Sequence, residues 1–306
     1  MKILDLETFG MRGVPDGFHD FSVPADVASG AGAHDLVVVT GPSGSGKTRF
    51  LELIVAVRES ISPSDDELDP DPWICPGYRA AKAKVTWLLS DDEQRAVGAP
   101  SPVHRTETIF GGENPKSSTD ELLIHLLERY DHTDATSKIE YFGENRRLDE
   151  SGGEMANDTI TQSRLRSTKI ARKYAFVPVF LREIRTQPAK ATRFAQTFAQ
   201  LSRTCRYDVE RSEFVSQGRV ARKLIELSAS ERDALLFAAT AANVGLSHSI
   251  VLIDRPELMN DSPRELVPGL LGLGVHNQVF VATAHPEMAI GARHVTIHLA
   301  AEGAAS

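Results

Sequence analysis

Between Gly41 and Thr48 the chain reads GPSGSGKT, with glycines in the first, fourth and sixth places followed by a lysine and a hydroxyl residue. Glycines so placed let consecutive backbone N–H groups converge on one point, which is what a string of phosphate oxygens demands. Lys47 has the reach for the outer phosphates, Thr48 offers a hydroxyl to Mg²⁺, and the helix that follows contributes its positive end. Pro42, Ser43, Gly44, Ser45 and Gly46 of the loop, with Arg49 in the first helical turn, complete a candidate nucleotide-binding set. The rival explanation is a chance match in a Gly/Ser-rich turn. The apolar run LVVVT just before the loop and the apolar-periodic segment just after it argue for the phosphate-binding reading.

A second constellation lies some two hundred residues on, in HSIVLIDRPELMND. The run Ile250–Ile253 has the look of a buried strand, and it ends in Asp254, a carboxylate placed to share Mg²⁺ with Thr48. Arg255 follows; its guanidinium stays charged and accepts no proton. Glu257 is the nearest carboxylate beyond it. Just upstream, Leu227–Glu231 reads LSASE before an amphipathic stretch, which taken alone is a helix N-cap. Downstream, QVFVATAHPEM is another apolar run, closing on His285. No [NT]KxD base-recognition motif of the GTPase kind is present.

The order of these four features resembles the ABC-type ATPase superfamily, and within it the RecF/SMC/OLD-like branch of AAA-type heads. The opening MKILDLETFGMRGV and the DRPEL segment are similar to that branch's first strand and to its DEPE followed by leucine. The resemblance covers about residues 1–57 and 215–299. It implies that Ser228, Ala229, Ser230 and Glu231 form a signature loop that meets the γ-phosphate of a neighbouring subunit's nucleotide, Ser230 departing from the usual glycine. It makes Asp254 the Walker B carboxylate and His285 the switch histidine. Arg255 then occupies the place of the glutamate that polarises the attacking water. KIEYFGENRR stands where a Q-loop strand is expected without its glutamine, leaving Glu144 and Asn145 as candidates. Implied cofactors are ATP and Mg²⁺, with catalysis carried by Asp254, Arg255, Glu257 and His285 and slowed by loss of the glutamate. The implied partner is a second copy or a related subunit, closed head to tail over the nucleotide.

Those side chains need elements to hold them. Strands alternating with helices in the last hundred residues imply a mostly parallel sheet with covered faces. KILDLETFGMRGV and HDFSVP predict two early strands, AKVTWLLS and KIEYFGE two more, and STDELLIHLLERYD a helix capped by Ser118 or Thr119. The expected architecture is therefore a single α/β P-loop domain. Its nucleotide-binding core comprises 1–57 and 215–299, a β/loop insertion with an antiparallel subdomain spans 58–150, and a basic helical lobe spans 151–214.

That lobe stands out in a chain of 306 residues with a formal net charge of −8. From Arg164 to Arg206 eleven basic side chains face Glu183 alone. Arg164, Arg166, Lys169, Arg172, Lys173, Arg182 and Arg185, interleaved with Tyr174, Phe176, Phe180 and Phe194, are candidate nucleic-acid contacts. The alternatives are a solvated face or a dock for an acidic protein segment. Cys75 and Cys205, the only cysteines, suggest neither a disulfide framework nor a zinc site. No apolar run approaches the roughly 18 residues of a membrane helix, and the expected location is the cytoplasm. The function implied is an ATP-dependent dimerising switch in DNA repair, chromosome maintenance or anti-phage defence, with any effector on a separate chain. The alternatives are a transporter's ATPase subunit and a non-catalytic ATP-binding assembly module.

Overall fold

The computed structural model describes residues 1–22, 35–63, 71–111, 115–118, 120–128, 137–148, 171–259, 262–289 and 293–300. In chain order the elements are β1 (Lys2–Phe9), β2 (Gly17–Asp20), β3 (Asp35–Thr40), α1 (Lys47–Ile61), β4 (Ala81–Leu88), α2 (Asp91–Val97), β5 (Val103–Phe110), β6 (Lys116–Ser117), α3 (Glu121–Glu128) and β7 (Ile139–Phe142). There follow α4 (Val177–Glu183), α5 (Pro188–Leu201), β8 (Cys205–Asp208), β9 (Glu213–Ser216), β10 (Ala221–Arg222), α6 (Ala229–Val244), β11 (Ile250–Asp254), α7 (Pro263–Leu271), β12 (Gln278–Thr283) and β13 (Arg293–His298).

The centre is a five-stranded sheet in the order β13-β3-β12-β11-β7, and every pairing in it is parallel. Alternate residues of each strand face opposite cores, as a pleated strand covered on both sides requires. Leu36, Val38, Val251, Ile253, Val279 and Val281 point into a core shared with α4, α5, α6 and α7. Val37, Val39, Ile250, Leu252, Phe280 and Ala282 point into another, built with α1, α3 and the antiparallel sheet β2-β1-β4-β5-β6. The mostly parallel sheet and the antiparallel subdomain expected from the sequence are thus both present. β7, from within the segment read as an insertion, is an outer strand of the central sheet.

Three details differ from the sequence reading. The cap of α3 is Asp120, whose Oδ1 accepts from the N–H groups of Leu122 (3.1 Å) and Leu123 (3.0 Å); the Ser118 hydroxyl accepts from Glu107 instead. A small antiparallel sheet, β10-β9-β8, stands between α5 and α6, where no strands were expected before residue 215. Lys173 is not a surface cation. Its side chain is 3% exposed, its ammonium pairs with the fully buried Glu140 of β7 and donates to the Tyr141 carbonyl, and Phe142 lies 5.4 Å away. Tyr174, Phe176, Phe180 and Phe194 are likewise buried in the helical core, in edge-to-face contact at Phe176–Phe180 and Phe180–Phe194. They hold the lobe onto the sheet and offer no stacking surface.

Burying Lys173 beside Glu140 makes a testable demand on stability. Lys173→Met takes the ammonium away from a buried carboxylate and is expected to cost about 3 kcal/mol, whereas Glu140→Gln combined with Lys173→Met recovers most of that loss. Urea unfolding of the three proteins at matched m-values decides it.

Candidate functional site

The P-loop leaves β3 and turns through Gly41, Gly44 and Gly46, with φ values of 154°, 81° and 86°. Glycine is required at Gly46 twice over: φ is left-handed, and a Cβ there would come within 1.9 Å of the Gly13 carbonyl oxygen. The loop is therefore seated against the turn between β1 and β2. Helix α1 begins immediately after, with no side-chain cap and no acidic residue in its first turn. Its first N–H groups have no intrahelical acceptor and face the loop, the arrangement that receives phosphate.

One cleft of about 440 Å³ gathers Lys47, Thr48, Arg49, Glu52, Glu144, Asp254, Arg255, Glu257 and the P-loop backbone. Lys47 lies back over the loop, its ammonium donating to the carbonyls of Gly41 (2.9 Å) and Pro42 (2.7 Å). Burial lowers its pKa and Arg255 adds to that effect, while Glu257 and Asp254 oppose it. The Thr48 hydroxyl donates to both carboxylate oxygens of the buried Asp254, at 2.9 and 3.2 Å. A hydroxyl and a carboxylate in contact on a cleft floor are hard oxygen donors of the kind Mg²⁺ takes, so this pair fits that ion. Arg49 stacks its guanidinium 3.7 Å above Trp73 and pairs with Glu52 at 3.3 Å.

Arg255 sits in a left-handed turn (φ 50°), its N–H bonded to the Ala282 carbonyl at 2.8 Å. Its side chain crosses the cleft mouth to Glu144 at 2.9 Å, and that hydrogen bond raises its pKa further, so it stays a cation. Glu257 is held by the Thr283 hydroxyl (2.9 Å) and the Ala284 N–H (3.5 Å), which brings a carboxylate to the cleft from the end of β12. His285 lies just past that rim, its Nδ1 2.8 Å from Glu287 and outside the cleft lining. Asn145 is exposed and is not among the lining residues; Glu144 is.

Ser228, Ala229, Ser230 and Glu231 are not in this cleft. They line a second one of about 450 Å³, with Arg203, Thr204, Leu258 and Met259 among its other walls. Ser228 and Glu231 form a reciprocal capping box on α6: the Glu231 N–H donates to Ser228 Oγ (3.2 Å) and the Ser228 N–H to Glu231 Oε2 (2.8 Å). Glu231 also accepts from Thr204 (2.6 Å) and pairs with Arg222 (3.4 Å), tying α6 to the small sheet. Burial works against its ionisation, but Thr204, Ser228 and Arg222 outweigh it and hold the carboxyl below its usual pKa.

Of the basic residues predicted to contact nucleic acid, Arg172, Arg182 and Arg185 are exposed, Lys173 is buried, and Arg164, Arg166 and Lys169 lie outside the described residues. Sequence reasoning passed over Arg146, whose buried guanidinium donates to the carbonyls of both Asp254 and Arg255. It also passed over Gly13 and Trp73; the close approach of Gly13 to Gly46 and of Trp73 to Arg49 leaves no local pattern to read. Among the described residues no helix is long and apolar enough to cross a membrane, and both cysteines are free thiols.

No family model matches the sequence, and no curated protein matches it significantly. Solved structures do. An SMC head bound to the C-terminal winged-helix domain of ScpA superposes with a TM-score of 0.58 at 15% identity, covering 94% of this chain and 91% of that one. The SMC head domain of Thermotoga maritima gives 0.52 at 15% identity over 95% and 92%. An SMC head with an extended coiled coil, bound to the C-terminal domain of ScpA derived from Pyrococcus furiosus, gives 0.53 at 14% identity over 94% and 90%. At such identities the likeness is one of fold. The chain has the fold of the SMC head domains.

The capping network around α6 can be weighed by substitution. Ser228→Ala is expected to cost about 1 kcal/mol, the ordinary loss of an N-cap. Glu231→Ala is expected to cost more, about 2 kcal/mol, because Thr204 and Arg222 lose their acceptor as well. Equilibrium urea unfolding of both variants gives the order.

Proposed function

We propose that the chain binds ATP with Mg²⁺ between the P-loop and β11, and that two such heads close head to tail over it as a slowly hydrolysing switch in a DNA-associated complex. The observation that carries this reading is the single cleft in which the uncapped start of α1, Lys47 and the Thr48–Asp254 pair meet. Thr48 and Asp254 would hold the Mg²⁺, which supplies charge neutralisation at the phosphates. Lys47 would exchange its two carbonyl partners for phosphate oxygens, and Arg255 would exchange Glu144 for the same charge.

The separate signature cleft supports a partner. Ser228 and Ser230 open there beside Leu258, which is 53% exposed, while Ile225, just upstream, is 63% exposed. An exposed leucine in the lining of this cleft suits burial by a second head. The DNA association rests on the SMC-head fold and on Arg172, Arg182 and Arg185, exposed cations of the helical lobe. The SMC heads in two of the matched structures are bound to domains of ScpA, and an accessory protein acting on this head in a comparable way would be a separate chain.

Slow turnover follows from Arg255, which accepts no proton from the attacking water. Glu257 is the carboxylate left to position that water, fixed by Thr283 and Ala284 rather than by the strand itself. Glu257→Gln is expected to lower turnover by about a hundredfold while ATP binding persists; single-turnover hydrolysis unchanged by the substitution removes Glu257 from this role.

The whole reading is tested by size-exclusion chromatography with light scattering, with and without ATP and Mg²⁺, on the wild type and on Lys47→Ala. The wild type is expected to shift from monomer to dimer with ATP. The variant is expected to bind ATP about tenfold to a hundredfold more weakly and to remain monomeric. A wild type whose mass is indifferent to ATP refutes the switch.

A further inference from the structure

We infer that Arg146 is a positioning residue coupling the P-loop cleft to the signature helix α6, so that each subunit's own nucleotide and the partner's are sensed through one buried guanidinium. This rests on the head-to-tail reading above. The Arg146 side chain is 1% exposed. Its Nη1 donates to the carbonyls of Gly143 and Asp254, each at 2.7 Å, and its Nη2 to the carbonyl of Arg255 at 3.2 Å. Its Nε donates to Asp233 of α6 at 3.3 Å, and the guanidinium lies 5.3 Å from the Phe237 ring one turn further along. Three chain segments therefore meet at one planar cation: the exit of β7, the turn after β11, and α6.

The choice of acceptors is what separates this from ordinary core packing. Two of the three carbonyls belong to Asp254, which faces Thr48, and to Arg255, which closes the cleft mouth. The third belongs to the residue just before Glu144, the partner of Arg255. The carboxylate lies on a helix that begins at the signature serine and runs without a break from Ala229 to Val244. A tilt of α6 caused by a phosphate at Ser228 moves Asp233 and Phe237 as one body. The guanidinium must follow or break bonds in a place closed to water, and either response shifts the carbonyls of Asp254 and Arg255. Only arginine fits such a post: its rigid fork donates in one plane in several directions, whereas a lysine ammonium radiates from one point.

Separating the two ends of the link tests it. ADP, which lacks the γ-phosphate that would meet the signature loop, reads the P-loop cleft alone; the ATP-driven monomer–dimer constant reads the link. Asp233→Ala cuts the tie to α6 and leaves the three carbonyl bonds of Arg146 in place. It is expected to bind ADP within about twofold of the wild type while its ATP-driven dimer weakens about tenfold. Arg146→Lys, which disturbs the carbonyls as well, is expected to lose affinity for ADP in addition. Should Asp233→Ala not fold, Asp233→Asn, which keeps an acceptor without the charge, is read by the same two constants. Equal losses in both constants for the Asp233 variant, or no loss in either, overturn the coupling and leave Arg146 a structural residue. A wild type that stays monomeric with ATP overturns the head-to-tail reading itself and the coupling with it; a wild-type dimer that the Asp233 variant forms equally well overturns the coupling alone.

Discussion

Parallel strands that end level with one another are the constraint on which the site depends. In the central sheet Asp254 stands opposite Ala282, Ala282 opposite Val39, and Thr283 opposite Thr40. The P-loop leaves β3 at that line, Asp254 closes β11 on it, and Thr283, which holds Glu257, closes β12 on it. Because all three strands run the same way, one register sets the spacing between the lysine, the hydroxyl and two carboxylates. A slip of one residue in any of them would turn its apolar set from one core to the other, and the two covered faces make that slip prohibitively costly. The chemistry at the strand ends is thus guarded by apolar packing well away from it.

The helical lobe is joined to this sheet in a different manner, through charges taken out of water. Lys173 meets Glu140 of β7, and Arg146 meets Asp233 of α6. Buried pairs of this kind contribute little net stability over an apolar contact, but they accept only one geometry. Burial raises the pKa of Asp233, and the Arg146 guanidinium beside it opposes that rise without cancelling it. These pairs add directional contacts to the apolar core that packs the helices against the sheet.

What could be read from the sequence follows the same division. The P-loop, the strand ending in Asp254 and the helix after LSASE are local patterns, in which a few neighbouring residues determine both the element and its role. The parallel sheet follows from their alternation. Apart from the cap of α3, displaced by one residue to Asp120, the misreadings are non-local. A run of basic residues with aromatics between them reads as a binding face, yet Lys173 and the four aromatic rings at 174, 176, 180 and 194 are buried, because their partners come from β7, α6 and the small sheet. Strands β8, β9 and β10 are two to four residues long, too short to show a period. Arg146 sits in the polar stretch GENRR, and nothing within a dozen residues announces the carbonyls of Asp254 and Arg255 that fix it. Sequence order recovers motifs; it does not recover which charge faces which.

The arginine after Asp254 is best understood through the charges of the cleft as a whole. Its lining carries Lys47, Arg49 and Arg255 against Glu52, Glu144, Asp254 and Glu257. Each cation already has oxygen partners there: two carbonyls for Lys47, Glu52 for Arg49, Glu144 for Arg255. A glutamate at position 255 would leave two cations against five carboxylates, in a space meant, on the proposed reading, for a polyanion. On that reading arginine there would tip the balance toward holding phosphate, at the expense of activating water. The left-handed turn at Arg255 aims the guanidinium at Glu144, on the exit of β7 that Arg146 also grips. Arg255 and Arg146 together thus link the cleft, the exit of β7 and α6 through charged contacts.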